Sequence, residues 1–280
     1  MNLILQGMDV DAKVVEKIAA LADAQTIISI NTNAWRCTGV SHSAPVRTLI
    51  ESACLHAKID GSFIDEAKKL SDFKLLVMDM DSTLITIECI DEIADMHGLK
   101  SEVSVITEAA MRGELDFRES LTRRVALLKG LDANALQQVF DERLLLSLGA
   151  QELLAGAKAA GLKTVLVSGG FTYFTDRLQQ QLHFDVTRAN SLEIINDKLT
   201  GQIIGKVIDA TEKRKTVENE AAILGVETAS AIVMGDGAND LEMMSVAGLS
   251  VAFRAKPVVR AQADVALNFV GLDGVLNLFR

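Results

Sequence analysis

Two patterns of apolar and polar positions divide the chain near residue 70. Residues 1–70 alternate short apolar segments with two amphipathic helices, in the order β-α-β-β-α-β. Val14, Ile18 and Leu21 follow the spacing of one helix face, and Pro45 falls in the first turn of the second helix. This order predicts a small ferredoxin-like α+β domain over residues 1–70.

Residues 71–280 follow a different pattern, built on near-continuous apolar segments. FKLLVMD, at residues 73–79, is typical of a parallel strand that is buried on both faces. Four helical patterns occupy residues 88–146, and helices and strands then alternate. We predict a doubly wound, Rossmann-like parallel sheet with a core over 71–87 and 147–280, interrupted by a helical cap over 88–146.

Composition narrows the possible partners. The chain has 280 residues, 49% of them hydrophobic, and a net charge of −10, which argues against nucleic acids and anionic membranes as partners. The start of the chain lacks the basic region of a signal peptide. Cys37, Cys54 and Cys89 are widely spaced and odd in number, as expected of free thiols. A cytoplasmic location follows as an expectation.

Polar clusters end three of the apolar segments. The segments read LLVMDMDST, TVLVSGG and AIVMGDGAND. Because ligands bind at the carboxyl ends of the strands in a doubly wound sheet, the three clusters predict one site. Asp79, Asp81, Asp236 and Asp240 would repel one another there unless a cation or protons neutralise them. Oxygen ligands without a His or Cys cluster favour Mg²⁺.

Other interpretations of these clusters were weighed. An EF-hand loop beginning at Asp79 would require Gly and Glu where Leu84 and Ile90 stand, and a helix N-cap accounts for only one aspartate. GDGAND alone is equally consistent with a plain turn before a helix.

The second cluster and a basic segment suggest an anion site. Small residues at Ser168–Gly170 let backbone N–H groups approach an anion, although an ordinary tight turn has the same composition. Lys213 or Lys215, near a helix start, could supply a fixed positive charge, or could simply face solvent. The chain contains neither a Walker A loop nor GxGxxG, and Ser168 has no evident His–Asp relay.

The order DMDST, SGG, a lysine before a helix, and GDGAND resembles the four motifs of haloacid dehalogenase-type phosphatases, over about residues 72–280. DMDSTLITIECIDEIA, FRESLTRRVALLKGL and MGDGANDLEM resemble the members that hydrolyse O-phospho-L-serine. The first 70 residues resemble ACT domains in their element order. The resemblance therefore implies a phosphatase core with a helical cap and an ACT-like domain before it.

The resemblance also implies roles for the acidic residues. Asp79 is expected to be the nucleophile that forms an aspartyl-phosphate, and Asp81 the general acid and then the general base. Mg²⁺ is expected on Asp79, the backbone carbonyl of Asp81, and Asp236, with Asp240 close by.

Binding roles follow by the same resemblance. Ser168, Gly169 and Lys213 are expected to bind the phosphoryl group, and Asn239 to help position it. Glu88 is expected to contact the substrate ammonium, and Arg124 the substrate carboxylate. Lys215 and Arg123 remain open as alternatives to Lys213 and Arg124.

The expected function is therefore Mg²⁺-dependent hydrolysis of phosphoserine, the last step of serine biosynthesis. Two alternatives remain, a phosphatase for another small phosphomonoester and an amino-acid-sensing protein whose phosphatase core is vestigial. A homodimer is a possible assembly.

Overall fold

The computed structural model describes residues 1–280 except the side chain of Met111. The N-terminal domain has the elements β1 (Asn2–Gln6), α1 (Ala12–Leu21), β2 (Thr26–Asn31), β3 (Ala34–Thr38), α2 (Ala44–Ala57) and β4 (Asp60–Ile64). Its sheet has the order β2-β3-β1-β4, and every neighbouring pair is antiparallel. Asp11 caps α1 by accepting a hydrogen bond from the backbone N–H of Lys13, at 2.9 Å. The predicted β-α-β-β-α-β order is confirmed.

The second domain contains a seven-stranded sheet and a set of helices. Its elements are β5 (Leu75–Met78), α3 (Cys89–Met96), α4 (Lys100–Met111), α5 (Phe117–Leu127), α6 (Asn134–Glu142), α7 (Ala150–Ala159), β6 (Lys163–Phe171), α8 (Thr172–Leu182), β7 (Val186–Ile195), β8 (Lys198–Ile204), α9 (Ala210–Leu224), β9 (Ala231–Gly235), α10 (Leu241–Met244), β10 (Leu249–Phe253), α11 (Pro257–Arg260), β11 (Val265–Leu267) and α12 (Gly274–Asn277). We refer to α3–α6 as the helical insertion.

The order of the large sheet is β11-β10-β9-β5-β6-β7-β8. All its pairs are parallel except β7 with β8, which form an antiparallel hairpin. The predicted doubly wound α/β fold with a helical insertion is therefore confirmed.

The register of the sheet brings the polar clusters together. Met78, the last residue of β5, pairs with Leu166 of β6 on one side and Met234 of β9 on the other. The residues that follow in these three strands therefore emerge at one edge, where a parallel sheet binds ligands. Among the described residues, no helix has both the length and the apolar character needed to cross a bilayer.

Candidate active site

The first polar cluster begins where β5 ends. Asp79 continues the extended backbone, and residues Met80–Leu84 then form a tight turn that is interrupted at Asp81 and Ser82. Ser82 has φ +56°, the left-handed conformation that L residues seldom adopt. This turn separates the environments of Asp79 and Asp81, so the two carboxylates have different partners.

Lys213 joins two of the carboxylates at the centre of the site. Its Nζ donates to Asp79 Oδ1 at 2.6 Å and to Asp240 Oδ1 at 2.7 Å. Burial alone would lower the pKa of Lys213, but the charges of Asp240 and Asp79 outweigh it and raise that pKa. Lys215 lies on the exposed side of α9 and pairs with Glu212 at 3.0 Å. The structure therefore brings Lys213, and not Lys215, to the aspartates.

Asp240 organises the loop that follows β9. Its Oδ2 accepts hydrogen bonds from the backbone N–H groups of Asp236, at 3.2 Å, and Gly237, at 3.1 Å. Asn239 lies in the same turn and is half-buried. GDGAND thus does form a turn, as its composition allows, but the aspartate that closes the turn also holds Lys213.

Three carboxylates form a candidate metal site. Oxygen atoms of Asp79, Asp236 and Asp240 all lie within 4.8 Å of one another. Burial, followed by the charge of Asp240, raises the pKa of Asp79 well above its usual range and that of Asp236 to about 7. Lys213 offsets only part of this negative charge, so the donor set fits a hard cation bound through oxygen. The expected contribution of the Asp81 backbone carbonyl stays a prediction.

Asp81 faces the end of β6 and the start of α3. Its Oδ1 accepts from the backbone N–H of Cys89 at 3.3 Å, and a Cβ on Gly170 would lie 2.7 Å from its Oδ2. Burial, followed by the charge of Glu88, raises the pKa of Asp81 to about 7. Asp81 can therefore exchange a proton near neutral pH, as a general acid must.

The SGG segment is held in place by its own hydroxyl and by the next strand. Ser168 Oγ accepts from the backbone N–H of Gly170 at 2.8 Å. Asn190, in β7, donates to the carbonyl of Gly169 at 2.8 Å and accepts from the N–H of Ile208 at 2.8 Å. Asn190 was not predicted as part of the site, because its contacts depend on the pairing of β7 with β6, which the local sequence does not specify.

Glu88, the N-cap of α3, and Arg124, in α5, come from the start and the middle of the segment that carries the helical insertion. Ser82 Oγ donates to Glu88 Oε1 at 2.7 Å. Burial raises the pKa of Glu88, and the nearby charge of Arg124 opposes that rise. Arg123 is exposed and pairs with Glu119 on its own helix, at 2.6 Å. Of the two arginines left open by the sequence, the structure therefore places Arg124 near Glu88.

The chain is similar to known families and proteins. The family model for haloacid dehalogenase-like hydrolases matches residues 76–245, and a domain of unknown function matches residues 3–45. A phosphoserine phosphatase from Albidiferax ferrireducens is 55% identical over 217 residues, which are 76% of this chain and 92% of that protein.

Two solved structures have the same fold. The unliganded structure of a probable phosphoserine phosphatase from Vibrio cholerae has a TM-score of 0.85 at 38% identity, covering 99% of this chain and 86% of that chain. A phospho-aspartyl intermediate analogue of phosphoserine phosphatase has a TM-score of 0.70 at 37% identity, covering 76% of this chain and all (100%) of that chain. On its sequence, its fold and the residues gathered at the end of β5, the chain belongs to the haloacid dehalogenase-like hydrolases.

Proposed function

We propose that the protein is a Mg²⁺-dependent phosphoserine phosphatase that converts O-phospho-L-serine and water to L-serine and phosphate. The observation that carries the reaction type is the buried contact of Lys213 with Asp79 and Asp240. Burial, which raises the pKa of Asp81 to about 7, supports the role of that residue in proton transfer. The phosphoserine phosphatase that is 55% identical to the chain supports the choice of substrate.

Asp79 performs the first displacement. One of its carboxylate oxygens forms a bond to phosphorus while the bond from phosphorus to the serine oxygen breaks. Asp81, protonated, gives its proton to that oxygen as serine leaves. Lys213 and the backbone N–H groups near Gly169 offset the charge that the phosphoryl oxygens carry.

Water completes the reaction. Asp81, now ionised, accepts a proton from a water molecule whose oxygen attacks phosphorus. The bond between phosphorus and Asp79 breaks, and phosphate leaves with Asp79 restored as a carboxylate. The aspartyl-phosphate intermediate thus divides one difficult displacement into two easier ones.

Asp79, Asp236 and the backbone carbonyl of Asp81 are the groups proposed to hold Mg²⁺, with Asp240 beside them. When bound, Mg²⁺ neutralises and orients the phosphoryl group. The oxygen-only donor set and the raised pKa values of Asp79 and Asp236 support a divalent cation here.

The helical insertion is proposed to act as a cap that recognises the serine moiety. Glu88 would contact the substrate ammonium, and Arg124 would bind the carboxylate through its planar fork. Ser168, Gly169 and Asn239 would bind or position the phosphoryl group. A cap of this kind also excludes water during the first displacement.

The N-terminal domain is proposed to be ACT-like and regulatory. Its topology supports the likeness. A homodimer stays a prediction, for which the edge strand β2 offers exposed Ile27 and Ile28 as a contact surface. As a step of amino-acid biosynthesis, the reaction is expected in the cytoplasm.

Steady-state hydrolysis of phosphoserine in the presence of Mg²⁺ tests the proposal. Asp79→Asn removes the nucleophile while preserving the size of the side chain, and we expect kcat to fall by at least about 10³-fold. Chelation of the metal should likewise abolish turnover of the unaltered protein, and added Mg²⁺ should restore it.

Asp176→Asn is the matched control, since Asp176 is exposed on α8. It should leave kcat and KM unchanged. Turnover of phosphoserine by Asp79→Asn at the rate of the unaltered protein would refute the nucleophile assignment. Efficient hydrolysis of other small phosphomonoesters but not of phosphoserine would instead refute the substrate.

A further inference from the structure

Asp91 lies in the first turn of α3, close in sequence to a proposed serine-binding residue. Glu88 is the N-cap of α3, and Asp91 lies three positions later. The backbone N–H of Asp91 donates to the carbonyl of Glu88 at 3.1 Å, which fixes the two residues within one turn. Asp91 has no role in the mechanism derived above.

Asp91 and Arg124 each carry a buried polar atom without a partner. Among the described residues, Asp91 Oδ1 and Arg124 Nε are inaccessible to solvent and make no hydrogen bond. Such atoms are uncommon and costly in folded proteins, so the unpaired acceptor on Asp91 and the unpaired donor on Arg124 each call for a partner. Burial raises the pKa of Asp91, and Arg124, followed by Lys100, opposes that rise, which places the carboxyl in the field of the guanidinium.

We propose that Asp91 is a positioning residue that orients Arg124 for the substrate carboxylate, and so contributes to substrate specificity. When substrate binds, Asp91 Oδ1 accepts the hydrogen bond from Arg124 Nε, which leaves the two terminal nitrogens for the carboxylate. Asp91 is also an offsetting charge for a guanidinium that is partly withdrawn from water. This inference rests on the proposed function, because it assumes a substrate with a carboxylate.

Substrates that lack the carboxylate alone, or both the carboxylate and the ammonium, test the assignment. O-Phosphoserine carries both an ammonium and a carboxylate, O-phosphoethanolamine keeps only the ammonium, and p-nitrophenyl phosphate has neither. For Asp91→Asn, we expect kcat/KM for phosphoserine to fall by about tenfold or more, mainly through KM. The values for the other two substrates should change by less than about twofold.

Two further variants serve as controls. Asp95→Asn makes the same charge change one turn later on α3, at a residue that pairs with Lys100 at 3.1 Å, and should alter no substrate selectively. In an Arg124→Ala background, Asp91→Asn should cause no further loss on phosphoserine, because a residue that acts through Arg124 has nothing left to orient.

Any other pattern of losses across the three substrates would contradict either the role of Asp91 or the proposed function. Equal losses on all three substrates, or no loss on any, would overturn the role of Asp91. Losses shared by phosphoserine and phosphoethanolamine but not by p-nitrophenyl phosphate would mean that Asp91 binds the ammonium, which overturns its action through Arg124. An unaltered protein without preference for phosphoserine would overturn the proposed function itself.

Discussion

Asp79 and Asp81 stand two positions apart, yet their carboxylates contact different groups. Lys213 donates to Asp79 and lowers its pKa, although burial and the charge of Asp240 outweigh that effect and leave the pKa raised. Asp81 accepts a long hydrogen bond from the N–H of Cys89 at 3.3 Å, and burial raises its pKa to about 7. Asp79 is thus the carboxyl in contact with a fixed positive charge, and Asp81 the one whose pKa lies near neutral pH.

The first prediction concerns the pH dependence of serine release. A general acid must be protonated, so the fraction of competent Asp81 falls about tenfold per pH unit above its pKa. Because that pKa is about 7, we expect the single-turnover rate of serine release to decline as pH rises above that value. Rapid-quench measurement between about pH 6 and pH 9, a range that brackets the transition, provides the test.

A substrate with a good leaving group is the control for this pH prediction. p-Nitrophenolate leaves without a proton, so its release in the first turnover should not decline over the same range. In Asp81→Asn, the initial burst of p-nitrophenolate should persist while the burst of serine disappears. Loss of both bursts would mean that Asp81 is needed for more than proton transfer to the leaving group.

Lys213 and Lys215 show what the sequence predicts about single residues. Successive helix positions are about 100° apart, so Lys213 and Lys215 must face different sides of α9. Lys213 lies four residues before apolar Val217, a spacing that puts both on one helix face and favours Lys213 as the inward-facing lysine. In the structure Lys213 and Val217 are fully buried, whereas Lys215 is exposed.

At the scale of elements, the sequence predicts the helical insertion but not how it is joined to the core. The apolar periodicity of α3–α6 identifies the helices from local spacing alone. Their contacts with the core join residues far apart in the chain, such as Arg118 of α5 with Asp209, the N-cap of α9, at 2.8 Å. The β7–β8 hairpin also supports the insertion, where the N–H of Gly130 donates to the carbonyl of Leu199 at 2.8 Å.

The second prediction tests the contact between α5 and α9. Arg118→Ala removes an ion pair that joins the insertion to the helix carrying Lys213. Because Arg118 is exposed, the cost in unfolding free energy should stay below about 1 kcal/mol. We expect KM for phosphoserine to rise by roughly two- to fivefold, since a less firmly closed insertion retains substrate less well. Salt should weaken binding less in the variant than in the unaltered protein.

Arg123→Ala is the matched control for this contact. Arg123 pairs within α5, with Glu119 at 2.6 Å, and does not reach the core through that pair. It should change neither KM nor its salt dependence. An equal effect of both substitutions would show that α5 itself was disturbed rather than its contact with α9.

At the scale of the whole molecule, the two domains share an apolar core. Ile4 and Ile64 of the N-terminal sheet belong to the same buried cluster as Phe73 and Leu276. The pattern of residues 1–70 predicts the domain but not this docking, because the three consecutive apolar residues of β1 do not say which part of the chain covers them. Its outward face proves to be buried against the end of the chain instead of exposed.

Asp60 is the polar counterpart of that apolar contact. Its carboxylate accepts hydrogen bonds from the backbone N–H groups of Asn268, at 2.7 Å, Phe269, at 2.9 Å, and Val270, at 3.0 Å. Three donors on one buried carboxylate fix the segment after β11 against β4. Removing that acceptor would leave buried N–H groups unpaired, which costs more than the hydrogen bonds themselves contribute.

The third prediction is therefore that Asp60→Ala lowers the free energy of unfolding by about 2 kcal/mol or more. Urea denaturation measures the change, and Asp9→Ala, at an exposed position of the same domain, is the control. The active-site residues lie at the end of β5, three strands from β11 in the sheet, so kcat of the folded variant should not change.

A chain that begins at residue 71 should be destabilised further, since it also exposes the apolar face around Phe73, and yet retain catalysis while folded. Loss of kcat in a folded Asp60→Ala protein would instead mean that the docked domain sets the geometry of the active site.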